Sequence, residues 1–168
     1  MKKKRGWQSA GDFMAELEQD PEYMRMRAEK DERHRLVQAQ CDQILQPILE
    51  RLADAGFPAN SIQQVVAKFA PLPQPAVEIL LDSLKGCREV RVQESLVRAL
   101  GAAEFRFDGQ PLAKLFTNTS DEGLRFAIFN TIALVRPTSI SEWLDAVQQN
   151  DYYRQKLTDL GYDWTQGK

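Results

Sequence analysis

The chain has 168 residues, of which 43% are hydrophobic and 27% are charged, a composition typical of one globular domain with a buried core. Its formal net charge of −2 argues against a protein that works mainly by neutralising phosphate groups, because such proteins are usually strongly basic. No segment approaches the roughly 18 apolar residues of a membrane span, and no continuous apolar run follows the basic residues 2–5 as in a signal peptide; we therefore expect a soluble, cytoplasmic protein.

The first 35 residues predict a charged N-terminal helical arm. They contain nine Lys or Arg and eight Asp or Glu. Ser9 and Asp20 are each placed to cap a helix, and Pro21 suits a first helical position. Residues 29–35 include no apolar side chain, so a helix there would be polar on every side and would stand away from a core. The arm, residues 1–35, is expected to be mobile. Its apolar residues either dock on a partner or a second copy, or cover the first helix pair.

Residues 36–168 predict a folded, mildly acidic domain with 13 Lys or Arg against 16 Asp or Glu. An apolar stripe at helical spacing occupies residues 37–52, and Pro47 is expected to kink that helix because it removes one backbone donor. Asn60 or Ser61 is expected to cap the next helix.

The centre of this domain repeats at an interval of 34 residues. Residues 90–92 (Val-Arg-Val) align with residues 124–126 (Leu-Arg-Phe). Such an interval between helix pairs is typical of an α-solenoid. The expected start signals include Ser120 and a capping box at residues 139–142. The predicted pairs are 75–84 with 89–103, 110–116 with 121–135, and a helix after residue 139 with 152–160. We predict no β-strands.

These residues resemble the HEAT-type helical repeat. The second helix of such repeats often carries Val-Arg followed by Ala-Leu-Gly, as at residues 90–91 and 99–101; the second copy keeps Leu-Arg at 124–125 and Ala-Leu at 133–134, with Val135 in place of the glycine. The resemblance implies an all-α, right-handed α-solenoid of antiparallel helix pairs. It also implies a concave, protein-binding face lined by the second helices. The opening, residues 15–23, is similar to uncharacterised bacterial proteins of this kind and implies a bacterial source.

The sequence shows no set of residues whose spacing requires a reaction. His34 is the only histidine and lies in the charged run, where a solvated surface residue is the simpler interpretation. Cys41 and Cys87 fall on apolar helical positions, which favours two reduced thiols in an intracellular protein over a disulfide or a metal site. We therefore expect no enzyme activity, no cofactor and no metal, although acids brought together from distant helices would escape this reasoning.

Four residues are the candidate binding residues. Arg91, Arg98 and Arg125 recur along the second helices and would suit carboxylate or phosphate groups; alternatively, Arg91 and Arg125 brace neighbouring repeats. Phe129 lies in a helix that is apolar on nearly every side, so it belongs either to the core or to an exposed interaction patch.

The leading functional hypothesis is a non-catalytic scaffold that binds a protein partner through the concave face. A specific version is an immunity or antitoxin role, in which an acidic body masks a basic toxin. The alternative is a nucleic-acid-binding or DNA-glycosylase-like helical-repeat protein using Arg91, Arg98, Arg125 and Trp143, which the acidic balance disfavours. An enzyme-accessory role is a third class that no residue supports.

Overall fold

Most helices begin where a capping side chain accepts a hydrogen bond from a backbone N–H of the first turn, or where a proline occupies a first-turn position whose N–H would have no partner. The computed structural model describes residues 9–161. Within them the chain is all-helical, as predicted, and its extended pairing is limited to two isolated β-bridges. The helices are α1 (Ala10–Leu17), α2 (Pro21–Asp54), α3 (Ile62–Phe69), α4 (Gln74–Gly86), α5 (Val90–Leu100), α6 (Gln110–Asn118), α7 (Glu122–Val135), α8 (Ser141–Gln148) and α9 (Asp151–Asp159).

The chain divides into two units, Met1–Asp42 and Gln43–Lys168. In the first unit, Ser9 caps α1 through a capping box with Asp12, and Asp20 Oδ1 accepts a 2.9 Å hydrogen bond from the backbone of Glu22 at the start of α2. Both caps confirm the sequence prediction. The polar residues 29–35 are helical and exposed on every side. The basic residues 2–5 lie outside the described part of the chain.

The second unit opens with the last turns of α2. The helix is not interrupted at Pro47, and Ile48 and Leu52 on its apolar stripe are buried. Arg51 Nη2 lies 2.8 Å from Asp82 Oδ2 of α4, which ties these turns to the helices that follow. Of the two residues proposed to cap α3, Ser61 does so.

Helices in the second unit pack in two ways. Consecutive helices contact each other, as in α4–α5, α6–α7 and α8–α9, and helices two apart along the chain also contact each other, as in α5–α7, α4–α6 and α6–α8. Helix α3 packs against α5. The side chains between these helices form the core. Its largest fully buried members include Trp143, Phe116, Phe129, Leu80, Leu96, Leu112 and Ile128.

Main-chain hydrogen bonds join the segments that precede successive pairs. The segment before α4 pairs with the segment between α5 and α6, through a parallel bridge between Leu72 and Ala103. The segment before α6 pairs in the same way with the segment before α8, through Asp108 and Thr138. These bridges were not predicted from the sequence.

Two predicted helix starts are wrong. Helix α7 is capped by Asp121, whose Oδ1 accepts a 2.8 Å hydrogen bond from Leu124 N, and not by Ser120. Helix α8 follows Ile140 without any side-chain cap. The hydroxyl of Ser141 cannot serve as that cap because Ser141 is already the first helical residue, and Ser139 adopts a left-handed conformation with φ of 57°.

Candidate functional site

The four candidate binding residues lie on two neighbouring helices but do not form one surface. Arg91 and Arg98 are exposed on α5, Arg125 is half-buried on α7, and Phe129 is buried on α7. Helices α5 and α7 pack directly against each other. The four residues differ in exposure, and their neighbours differ as well.

Arg98 lies beside an open groove and has one acidic neighbour. Its Nε and Nη2 donate hydrogen bonds of 3.0 and 2.7 Å to Glu94 Oε1, one turn earlier on α5. An exposed pair at this spacing contributes only about 0.3–0.5 kcal/mol. Because a guanidinium carries five N–H groups in a fixed plane, Arg98 can keep this contact and still bind a further carboxylate.

Arg125 lies among aromatic rings. Its guanidinium carbon is 4.8 Å from the centre of the Phe116 ring and 6.0 Å from that of Tyr153. Its Nε is buried without a hydrogen-bond partner, and its Nη1 lies 3.8 Å from Glu122. The rings belong to α6 and α9, so this side chain supports the alternative in which Arg125 braces neighbouring helices, here by cation–π contact more than by an acid.

Phe129 is only 1% exposed. Its ring centre lies 5.0 Å from that of Tyr153 and 5.9 Å from that of Trp143, so in this structure a partner does not reach it. The phenylalanine of α7 that does reach the surface is Phe126, at 39% exposure. Periodicity did not separate the two because α7 is apolar on nearly every side.

Tyr153 is the buried titratable group of this aromatic cluster. Its side chain is buried, and this burial raises the pKa of the phenol above its ordinary value; the Glu122 carboxylate raises it further, while the Arg125 guanidinium opposes both effects. The phenol is therefore neutral at physiological pH and acts here as a packing ring and not as a base.

A groove of about 840 Å³ opens beside the second half of α7. Small residues make part of its wall: Gly101, Ala102, Ala127 and Ala133. Leu134 and Leu160 also line it and are 74% and 59% exposed. Large apolar side chains that are this exposed and share one concave surface are typical of a site that receives another apolar group.

The groove also carries positive charge. Arg98 and Arg136 line it, and no carboxylate lies among the lining residues of the described chain, although Glu94 is bonded to Arg98. Residues 36–168 as a whole have three more acids than bases. The groove therefore has two arginines and apolar side chains among its described lining residues, in a unit that is acidic as a whole. The sequence did not single out three of the residues that line the groove, Leu134, Arg136 and Leu160. Leu160 follows α9 and reaches this surface only through the fold.

Residues 9–161 show neither a metal-binding cluster nor a membrane-spanning helix. No group of three His, Cys, Asp or Glu side chains is placed to hold a metal ion, and no helix combines the length and apolar character needed to cross a membrane. Scans against known protein families, characterised proteins and solved structures each return no match.

Proposed function

We propose that this protein is a non-catalytic scaffold that binds a protein partner through the groove beside α7. The observation that supports it most directly is the combination of exposed Leu134 and Leu160 with Arg98 and Arg136 on one concave surface. Protein interfaces are typically made of apolar anchors surrounded by arginine and other polar groups.

We further propose that the second unit is a HEAT-like, right-handed α-solenoid of antiparallel pairs, with the N-terminal helices as an arm. The contacts between equivalent helices of successive pairs support this arrangement, as do the two main-chain bridges that recur between them. In such a stack α5 and α7 are second helices, and the groove lies on the face that they line.

We place the protein in the bacterial cytoplasm, where thiols stay reduced; Cys41 and Cys87 are both thiols. An immunity or antitoxin role would use the acidic surface of the second unit, whereas the groove itself favours an acidic partner. DNA binding has less support. Trp143 is fully buried, so it offers no surface for an extruded base, and two arginines are few for a phosphate-binding channel.

The test is a tagged pull-down from the native cell extract, treated with nuclease, using the wild type and Leu134→Glu. A glutamate at this exposed position places a charge in the apolar wall without disturbing the core. Tyr152→Glu is the matched control, because Tyr152 is also exposed and apolar but does not line the groove.

We expect one stoichiometric protein partner with the wild type and with Tyr152→Glu, and none with Leu134→Glu. Equal capture by all three proteins would show that the groove is not the binding surface. A partner whose capture is abolished by nuclease in every sample would favour the nucleic-acid alternative.

A further inference from the structure

Helix α1 has an apolar face that is largely exposed, with Leu17 half-buried at its end. Its apolar residues recur at the i, i+3, i+4 and i+7 positions Ala10, Phe13, Met14 and Leu17, which is the pattern of a helix that lays one face in a groove. Phe13 and Met14 are 53% and 42% exposed. A helix of eight residues is too short to be stable in water on its own. A surface that covers its apolar face would therefore stabilise it.

The charge of the same segment is uniformly negative. Residues 9–20 contain four Asp or Glu and no Lys or Arg. Asp12 belongs to the capping box of α1, and Glu18 lies 3.5 Å from Arg27. The segment thus combines a narrow apolar face with carboxylates, in a chain whose groove combines apolar walls with arginines.

The groove matches α1 in length and surface. It follows α7 from Ala127 to Leu134, a rise of about 11 Å, and α1 is about 12 Å long at 1.5 Å per residue. The small residues of the wall let another helix approach closely. At Gly101 a Cβ would lie 3.1 Å from the Arg98 carbonyl oxygen, so glycine leaves this part of the wall without a side chain.

We infer that the groove receives α1 of a second copy of this chain, so that the protein self-associates through its arm. The inference rests on the proposed function, since it names an occupant for the same groove. Phe13 and Met14 pack against Leu134 and Leu160, and the net negative charge of the segment lies near the two arginines. Arg98 keeps its bond to Glu94 and shares its remaining N–H groups.

The experiment is sedimentation equilibrium of the full-length protein over a range of concentrations. Two variants break the contact from opposite sides, Leu134→Glu in the groove and Phe13→Glu on α1. Both replace an exposed side chain, so both should fold, which circular dichroism verifies. The controls are Tyr152→Glu and Met26→Glu, which place the same charge on exposed apolar positions outside the groove and outside α1.

We expect the wild type and both controls to self-associate, and each test variant to weaken association by at least roughly tenfold, the effect of losing one apolar anchor. Added salt should weaken the wild-type contact, because it screens charged groups at a surface. Mixing the two test variants should restore association, since one supplies an intact α1 and the other an intact groove.

Three results would overturn the inference. The first is a wild type that stays monomeric at all concentrations, and the second is self-association that neither variant weakens. The third is a mixture of the two variants that fails to associate, because this would indicate that two like surfaces contact each other. A monomeric wild type whose Leu134→Glu variant loses a foreign partner in the pull-down would leave the proposed function standing and remove only this inference.

Discussion

The hydroxyl of Thr131 on α7 donates a buried 2.9 Å hydrogen bond to the carbonyl of Val97 on α5. The two residues are 34 positions apart, the interval at which the sequence repeats. Thr131 and Val97 therefore occupy the same position in the two copies, and the bond joins one copy to the next at equivalent points.

Thr131→Val should destabilise the protein by about 1–2 kcal/mol, because valine keeps the shape of the side chain but leaves a buried carbonyl with one partner fewer. Urea denaturation measures the change in the free energy of unfolding. Thr158→Val is the control. It also removes a hydroxyl that donates to a backbone carbonyl, but at an exposed site where water replaces it, so we expect a change within about 0.5 kcal/mol. Equal losses in the two variants would contradict the role given to Thr131.

Gly109 should not tolerate a side chain. A Cβ there would lie 2.6 Å from Ile140 Cγ2 and 2.9 Å from the Thr138 carbonyl oxygen, and this backbone is held by the bridge to Thr138. Gly109→Ala should therefore cost about 1–3 kcal/mol through overpacking. Gly86→Ala is the matched control, because a Cβ at the last residue of α4 meets nothing within 4 Å and alanine favours the helix. A melting temperature lowered equally by both substitutions would argue against close packing at Gly109.

The variant Arg125→Ala distinguishes a role of Arg125 in packing between helices from a role in binding the partner. Loss of the contacts with Phe116 and Tyr153 should destabilise the protein by about 2 kcal/mol, while the folded variant keeps its partner in the pull-down. Arg91→Ala, at an exposed position on α5, should change stability by no more than about 0.5 kcal/mol. Normal stability together with lost partner capture in Arg125→Ala would instead place Arg125 in the binding surface.

Tyr153 should make stability fall at alkaline pH. In the unfolded chain the phenol ionises near pH 10, and in the folded protein burial raises its pKa above that value. The stability that the neutral phenol contributes is therefore complete below about pH 10 and is lost as the pH rises from there through the folded-state pKa.

Melting temperatures measured from about pH 8 to about pH 11 test this expectation. The wild type should lose stability more steeply than Tyr153→Phe above about pH 10. Tyr152→Phe, at an exposed ring, should follow the wild type. Parallel curves for wild type and Tyr153→Phe would show that the phenol is not protected in the folded state.

Local signals predicted the helices well because each depends on a few adjacent residues. Ser9, Asp20 and Ser61 cap helices as expected, since their side chains reach backbone N–H groups two or three residues ahead. Ser120 failed because the neighbouring Asp121, an equally good capping residue, takes that place. Local chemistry thus locates a helix start to within a residue or two, but does not choose between adjacent candidates.

The candidate site was less predictable because the direction in which a side chain points, and the residues beside it, depend on how the helices pack together. Phe126 and Phe129 lie on one uniformly apolar helix, and only packing decides that Phe129 meets Trp143 while Phe126 reaches solvent. The groove likewise brings Leu160 beside Leu134 although α8 and α9 separate them along the chain. No periodicity encodes such a contact.

The bridges through Leu72 and Thr138 consist entirely of main-chain N–H and carbonyl groups, and every residue type except proline can supply both. The connection between successive helix pairs can therefore be kept while most side chains there are exchanged, except at Gly109, where a Cβ would lie 2.6 Å from Ile140 Cγ2. The third pair keeps little of the sequence pattern of the first two, yet it is joined to the pair before it by the same kind of parallel main-chain bridge. Such main-chain connections can persist in a diverging chain after the 34-residue sequence pattern has been lost.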